Sequence, residues 1–537
     1  ESHMSKLILF LCCIIFFVIP LSEALVSFSD FGIFYDDRIR KNVYFRGVNT
    51  VMKEAPFMPS SGDWDPITSL NETDMQWLQD HGINLIRLGV PLQGVIPDCG
   101  DSDSDYLANL RDMVDLLITY GIYVILDTHQ DVFTPAFCGN GLSECVLPPG
   151  PDTAKNSFPF PYTDDMDIDD EGIPSAESCQ QRTFVDWYNT AQVGVMSDCF
   201  FDVDGCNPWQ QAALGGLESV TLGQNLIDLF KQHWIAVAET FRTAENVIGY
   251  EILNEPVCNF YDHPLWKAEA AKCEEEVLVP FYKEILTAIY DIDPYHLVFI
   301  EPELRNFAKT GFPDSSESEL LGPFPYSQIG ISFHDYCHAL HQGSPKAKGW
   351  LALCEGVDFE VVSVRVADAE DKGFGGLLMT EFGACIDDDE QCLAGMKDTM
   401  NVYDDELVPV LYWAYKSFND PTTIASDGNE GLFASDGSEF TDKVVALARP
   451  YPMEISGDLI TFNYVSKTRT LDVHILPDLK NLTSSVIYTG GDIIYPEGFT
   501  VTFDPANACS YEVTDNNTIT ITPRQFDGYM VLIEPAE

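Results

Sequence analysis

Basic residues are scarce: 29 lysines and arginines stand against 85 aspartates and glutamates in 537 residues, a formal charge of −56. A surface of that sign repels a phosphate backbone, which argues against nucleic acid as a partner. The acidity suits work in an acidic, enzyme-rich lumen. It suits still more simply a solvated surface that keeps a secreted protein soluble. Long apolar runs are missing after Leu21, so no later segment reads as a membrane span. No CxxC pair is present, and the cysteines are not read as a zinc site; no metal or cofactor is expected. Internal repeats and low-complexity tracts are lacking too, which argues against a solenoid.

What is present begins at the N-terminus. Lys6 is followed by an apolar run from Leu7 to Leu21 and small residues at Ser22 and Ala24, the layout of a secretory signal peptide; a signal anchor is the alternative, for which the run is short of the ~20 apolar residues a span prefers. Glu1, Ser2 and His3 precede Met4 and read as an appended remnant, so residues 1–24 are set apart from the fold. Secretion is expected, into an extracellular, digestive or lysosome-like compartment. Cys12 and Cys13 fall in the leader, and the 13 that remain of 15 require at least one thiol outside internal pairs. Cys138 with Cys145, Cys199 with Cys206 and Cys385 with Cys392 bound short polar loops and read as local disulfides. Sequons at Asn71, Asn481 and Asn516 agree with secretion.

Between residues 43 and 417, eight short β-branched or aromatic runs begin at Val43, Ile83, Tyr123, Val247, Leu297, Ile329, Gly376 and Pro409. Stretches of helical period separate most of them: Glu72 to Asp80, Tyr106 to Thr119, Leu226 to Thr240, Val279 to Tyr290 and Val361 to Asp371. That alternation predicts an α/β fold, a (β/α)8 TIM barrel over residues 25–450. Residues 132–223, rich in Pro, Gly, Asp and Cys, interrupt it after the third strand and read as a cysteine-tied rim or lid, or else as a decorative insertion. After Arg449 and Pro450 the pattern changes to short alternating strands, and residues 451–537 read as a C-terminal β-sandwich.

Barrels of this type do chemistry at the C-terminal ends of their strands. Two carboxylates stand there: Glu255 in Leu253-Asn254-Glu255-Pro256 at the end of the fourth strand, and Glu381 in Met379-Thr380-Glu381-Phe382-Gly383 at the end of the seventh. One such Glu is easily a solvated surface charge. Two, after apolar strands that would otherwise bury them, fit glycosidic hydrolysis, in which one carboxyl protonates the leaving oxygen and the other attacks the anomeric carbon or activates water.

With those motifs the chain resembles the retaining (β/α)8 glycoside hydrolases of family 5 and, among them, the endoglycoceramidases, over residues 31–537. The resemblance implies Glu255 as acid/base and Glu381 as nucleophile. It implies substrate or supporting roles for Arg87 beside the nucleophile, His129 on the third strand, Asn254, the His334-x-Tyr336 pair on the sixth, and Trp413 as sugar platform. Lys53 and Asp131 resemble the residues that hold the glucose next to ceramide, although Lys53 could equally be a surface charge. Physical roles fit these types: an arginine near Glu381 favours its anion, negative charge near Glu255 raises its pKa, Asn254 can meet a sugar 2-hydroxyl, and an indole face can stack on a pyranose.

The expected substrate is then a glycosphingolipid, cut between oligosaccharide and ceramide by a monomer in passing contact with lipid surfaces. Phe133, Phe137 and Trp209 are candidates for an apolar channel or, equally, for a packed rim, and Trp187 for the sugar groove. Two alternatives stand beside this reading: an endo-β-1,4-glucanase acting on soluble polysaccharide, and a non-catalytic glycolipid-binding protein, the last disfavoured by the presence of both glutamates.

Overall fold

The computed structural model describes residues 26–29, 33–143, 145–146, 167, 175, 178–179, 191–202, 226–259, 269–337, 347–420, 422, 429–478, 482–514, 517–524 and 528–536. Three short antiparallel strands come first: β1 (Val26–Phe28), β2 (Phe34–Asp36) and β3 (Lys41–Val43). Eight parallel strands then close a barrel: β4 (Arg46–Thr50), β5 (Leu85–Gly89), β6 (Tyr123–Asp127), β7 (Val247–Glu251), β8 (Leu297–Ile300), β9 (Ile329–Asp335), β10 (Gly376–Gly383) and β11 (Val410–Trp413). Every sequence-predicted strand is among them. The expected helices form at Glu72–Asp80, Ser104–Leu117, Leu226–Phe241 and Val279–Tyr290. The fifth, Ala347–Lys372, starts earlier than its periodicity suggested. Helix starts follow local chemistry: Asn71 and Asp74 form a reciprocal capping box, and Asp103 and Asp389 cap the helices they precede.

All eight barrel strands are buried on both faces, and the pleat sorts their side chains. Outward residues such as Ile86, Leu88, Val124 and Leu126 pack on the helices in the main core. Inward residues near the strand starts, Leu85, Ile125, Leu297, Phe299, Leu378 and Leu411, form a separate apolar cluster. The β1–β2 hairpin closes that end, with Phe34 against Phe45 and Phe299 and Phe28 against Phe299. Among the described residues, the opposite end of the barrel is the one this hairpin does not cover.

Eight further strands follow: β12 (Tyr451–Ile455), β13 (Asp458–Val465), β14 (Thr470–Leu476), β15 (Ser485–Tyr488), β16 (Phe499–Asp504), β17 (Cys509–Val513), β18 (Thr518–Pro523) and β19 (Tyr529–Pro535). They form two antiparallel sheets, β1-β2-β3-β12-β15-β18-β17 and β13-β14-β19-β16. Alternation places Leu471, Val473 and Ile475 with Tyr529, Val531 and Ile533 in the shared core. Residues 26–43, grouped with the barrel in the sequence, pair with this unit instead: Val43 stands opposite Glu454, and Lys41 bonds Glu454 at 2.8 Å. Where barrel and sandwich meet, Asp404 is buried between Arg46 and Arg449 and accepts the Tyr44 hydroxyl at 3.0 Å.

Disulfides join Cys99 to Cys145, Cys138 to Cys179, Cys258 to Cys273, Cys337 to Cys354 and Cys385 to Cys392. The local pair Cys385–Cys392 forms as expected, whereas the Cys138–Cys145 pairing does not. Each of those two cysteines reaches a more distant partner, because residues 131–140 fold back on themselves, with Asp131 bridged to Asn140. Cys206 lies outside the described residues, so the expected Cys199–Cys206 pair is not described. Cys509 is the free thiol among the described residues. Of the insertion, the helix Ala191–Phe201 is described; Ser197 on it donates to the Val257 carbonyl at 2.5 Å, just past the Asn254-Glu255-Pro256 segment.

Candidate active site

Above the apolar plug the inward layer turns polar: Asn49, Arg87, Asp127, Glu251, Glu301 and Thr380 are all buried. Arg87 is its centre. Its guanidinium donates to Glu251, to Glu381, to Asn49 at 3.1 Å and to Asn254 at 2.8 Å, and lies 3.2 Å from Asp127. Burial opposes charge on Arg87, but Asp127, Glu251 and Glu381 outweigh it and hold the guanidinium firmly protonated. A single cation thus orients three carboxylates and two amides.

The two glutamates singled out by the sequence face each other over this layer in different surroundings. Glu381 receives Arg87 on Oε1 and the Tyr336 hydroxyl on Oε2 at 2.7 Å. Burial still pushes its pKa above the ordinary value, with Arg87 pulling the other way, so the arginine offsets desolvation rather than producing a net depression. Among the described residues, no lysine or arginine forms an ion pair with Glu255. Its Oε1 lies 2.7 Å from His334 Nδ1, and burial together with the Asp131 charge pushes its pKa up to about 7. Burial also lowers His334 to about 4, so this imidazole is neutral and shares one hydrogen with Glu255. Carboxylate oxygens of Glu255 and Glu381 and a nitrogen of His334 lie within 4.8 Å of one another.

Glu255 is aimed by an unusual backbone. Its φ is 45°, in the left-handed region, and it precedes Pro256, which disfavours compact backbone in the residue before it. Its N–H donates to Glu301 Oε2 at 2.8 Å, and its carbonyl accepts from Gln130 Nε2 at 3.1 Å. Asn254 is fixed from both ends of its amide, accepting from Arg87 and donating to the Gln130 carbonyl at 3.0 Å.

A second cluster joins the first at β11. Lys53 is buried, not a surface charge: its ammonium bonds Asp131, Asp420 and Thr422, each at 2.7 Å, and sits 4.7 Å from the centre of the Trp413 ring. Burial opposes its charge, but Asp131 and Asp420 drive its pKa up, and Lys53 and His129 hold Asp131 well below the carboxylate range. His129 bonds Asp127 at 2.8 Å and stacks on Trp413 at 5.2 Å; against the cost of burial, Asp131 and Asp127 raise it to about 9. The Trp413 indole N–H donates to Glu430 at 3.1 Å, and burial with Asp420 lifts that carboxyl to about 8.

The structure therefore gathers all ten sequence candidates, Lys53, Arg87, His129, Asp131, Asn254, Glu255, His334, Tyr336, Glu381 and Trp413, around one mouth. Phe133 and Phe137 are not on it: both are buried in the main core, with the Phe133 ring against Phe200 and Phe201. Trp187 and Trp209 lie outside the described residues. Asp127, Glu251, Glu301, Asp420 and Glu430 escaped sequence reasoning. The first two carried a signal, a charge closing an apolar strand, while Asp420 and Glu430 sit in loops with none.

Two carboxylate–histidine triplets, Glu251-Glu301-His334 and Glu255-His334-Glu381, have ligand-type atoms close enough for a metal. Glu251 and Glu381 are already bound by Arg87, so a cation there would face a buried guanidinium. Cys337, three residues after His334, is closed in a disulfide. The donor set suits holding and moving protons better than ligating a metal.

The family model described as cellulase (glycosyl hydrolase family 5) matches residues 40–419, and that of the glycoside hydrolase family 5 C-terminal domain matches residues 449–532. Two endoglycoceramidases align along most of the chain. That of Cyanea nozakii is 26% identical over 492 residues, 90% of this chain and 88% of the relative; that of Hydra vulgaris is 27% identical over 495 residues, 91% and 83%. Endo-glycoceramidase II from Rhodococcus sp., solved as a ganglioside GM3 complex, superposes with a TM-score of 0.67 at 20% identity, covering 94% of this chain and 99% of that one. Sterylglucosidase 1 of Cryptococcus neoformans gives 0.66 at 14%, covering 96% and 97%. At such identities the solved structures speak to the fold, but the family models span both the barrel that carries the paired glutamates and the sandwich behind it, and the chain belongs to glycoside hydrolase family 5.

Proposed function

We propose that the protein is a retaining endo-β-glycosidase that hydrolyses glycosphingolipids between the oligosaccharide and ceramide, with Glu381 as nucleophile and Glu255 as acid/base. The observation that carries the mechanism is the approach of the two carboxylates to within 4.8 Å at their nearest liganding oxygens. Retaining enzymes set the pair about 5–5.5 Å apart, and inverting enzymes need about 6.5–9.5 Å to admit water. The two environments divide the labour. Glu255, unpaired with any lysine or arginine among the described residues and with a pKa of about 7, holds the proton that the departing ceramide oxygen needs. Glu381, with Arg87 and Tyr336 on its two oxygens, is the better anion to attack the anomeric carbon. Having given up its proton, Glu255 takes one from the water that resolves the glycosyl-enzyme. Asn254 is placed beside the nucleophile's arginine to meet the 2-hydroxyl, and Lys53 with Asp131 offers a charged corner for the remaining hydroxyls.

Support for a glycosphingolipid substrate comes from the two endoglycoceramidases aligned over nine-tenths of the chain. Secretion is part of the proposal; the apolar leader and the five disulfides among the described residues support it. No helix among the described residues is long and apolar enough to cross a membrane, and we infer transient contact with lipid surfaces or micelles by a monomer.

The test is mass spectrometry of products from a ganglioside and, separately, from a cello-oligosaccharide. Intact oligosaccharide plus intact ceramide is the expected result. Cleavage of the cello-oligosaccharide alone would keep the two glutamates and move the substrate to soluble β-1,4-glucan; ganglioside binding with no turnover of either would leave a binding protein.

A further inference from the structure

We propose that Glu301 is a positioning residue for the acid/base: a buried side chain whose carboxyl oxygen, as acceptor, pins the left-handed backbone of Glu255. This rests on the acid/base role given to Glu255 but not on the identity of the substrate. Glu301 directly follows β8, and its Oε2 accepts the Glu255 N–H at 2.8 Å. That bond falls on the one residue that must hold a φ of 45° ahead of a proline. Glu301 is itself fixed, because the Tyr282 hydroxyl donates to its carbonyl at 2.6 Å and accepts its N–H at 3.2 Å. The chain of contacts runs from the helix Val279–Tyr290 through Glu301 to Glu255.

The charge of Glu301 matters as much as its place. Five of the mouth's carboxyls, Asp127, Glu251, Glu255, Glu301 and Glu381, lie in the part of it centred on Arg87. That guanidinium spends its donors on Glu251, Glu381, Asn49, Asn254 and Asp127. The groups that face Glu301 are Glu251 and Glu255 from the β7 side, His334 from β9, Arg87 from β5, Tyr282 from its helix and Arg365 from the helix Ala347–Lys372. His334 is neutral, with Nδ1 3.7 Å from Glu301 Oε1 and nearer to Glu255. Burial first, then the Glu251 and Glu255 charges, push the Glu301 carboxyl far above its ordinary range. An ionised Glu301 would drive Glu255 further up and make it a sluggish acid. A protonated one supplies the anchor without the field.

The test compares wild type, Glu301→Gln and Glu301→Leu on a ganglioside and on 2,4-dinitrophenyl β-lactoside, whose leaving group needs no acid. Glu301→Gln keeps a neutral acceptor, and is expected to retain kcat within about threefold and to leave the alkaline limb of the pH profile in place. Glu301→Leu removes the acceptor and is expected to lose about 100-fold on ganglioside, as an impaired general acid does, with less than about tenfold loss on the activated lactoside and partial recovery by azide. Equal losses on both substrates without azide recovery would make Glu301 merely structural and overturn the proposal. So would a fall of the alkaline limb by about one pH unit or more in Glu301→Gln, which would mean that wild-type Glu301 is ionised. If Glu301→Leu does not fold, the Glu301→Gln profile decides alone. If wild type cleaves the activated lactoside but not ganglioside, the substrate reading fails, and phenyl β-lactoside replaces ganglioside as the substrate that needs the acid.

Discussion

The closed and open ends of the barrel are built from the same strands, one step of the pleat apart, and they do opposite work. At the closed end the inward residues are Leu85, Ile125, Phe299, Leu378 and Leu411, packed with Phe28 and Phe34. Two residues further along the same strands stand Arg87, Asp127, Glu301, Thr380 and Trp413. At ~3.3 Å of rise per residue the two layers are separated by less than the width of a side chain cluster. The lower layer is held by apolar burial, which is tolerant of direction; the upper is held by Arg87 balancing carboxylates that could not otherwise share so small a volume. The plug secures the barrel so that the charged layer, which stabilises little on its own, keeps its geometry.

The contrast breaks apart under mutation in a definite order. Glu381→Gln is expected to lose on the order of 10⁴-fold or more in turnover with an unchanged far-UV circular dichroism spectrum, since it removes the proposed nucleophile and leaves the fold alone. Glu255→Gln should lose about 10²–10⁴-fold on ganglioside and far less on a dinitrophenyl lactoside, measured by steady-state kinetics on both. In the lower layer the outcome reverses: Phe299→Ala is expected to cost about 3–5 kcal/mol in denaturant unfolding while the folded fraction keeps the wild-type mechanism and substrate preference. The finest distinction is in pH. Glu255 must be protonated to act as an acid, so kcat/KM should fall as pH rises through about 7, and that limb should stay in place in Phe299→Ala.

These two layers also explain what could be read from the sequence. Eight strands were legible because each is a short β-branched or aromatic run between helical periods, and the mouth candidates because Glu255, Glu381, His334 and Trp413 close such runs. Glu251 and Asp127 went unread because a strand buried on both faces looks uniformly apolar and hides which side each residue takes. Val-Ile-Gly-Tyr-Glu251 differs from its neighbours only in that last residue. Glu430 and Asp420 reach the site from the loop after β11, where no period marks direction. Lys53 was ambiguous in sequence because its two carboxylate partners lie 78 and 367 residues away. The pairing of residues 26–43 with the sandwich could not be read for the same reason: β-pairing partners 411 positions apart, such as Val43 and Glu454, leave no local trace. Phe133 and Phe137 stayed open between channel and packed rim because an aromatic in an insertion looks alike whether it lines a channel or packs on Phe200.

The central claim is that Glu381 attacks sugar carbon from one side of the mouth while Glu255 serves the leaving oxygen from the other. Trapping the enzyme with 2-deoxy-2-fluoro-β-lactosyl fluoride, followed by peptide mass mapping, addresses it directly. The account predicts one lactosyl adduct, carried on the peptide that contains Glu381. Label on any other residue, or inactivation without a covalent adduct, would contradict it.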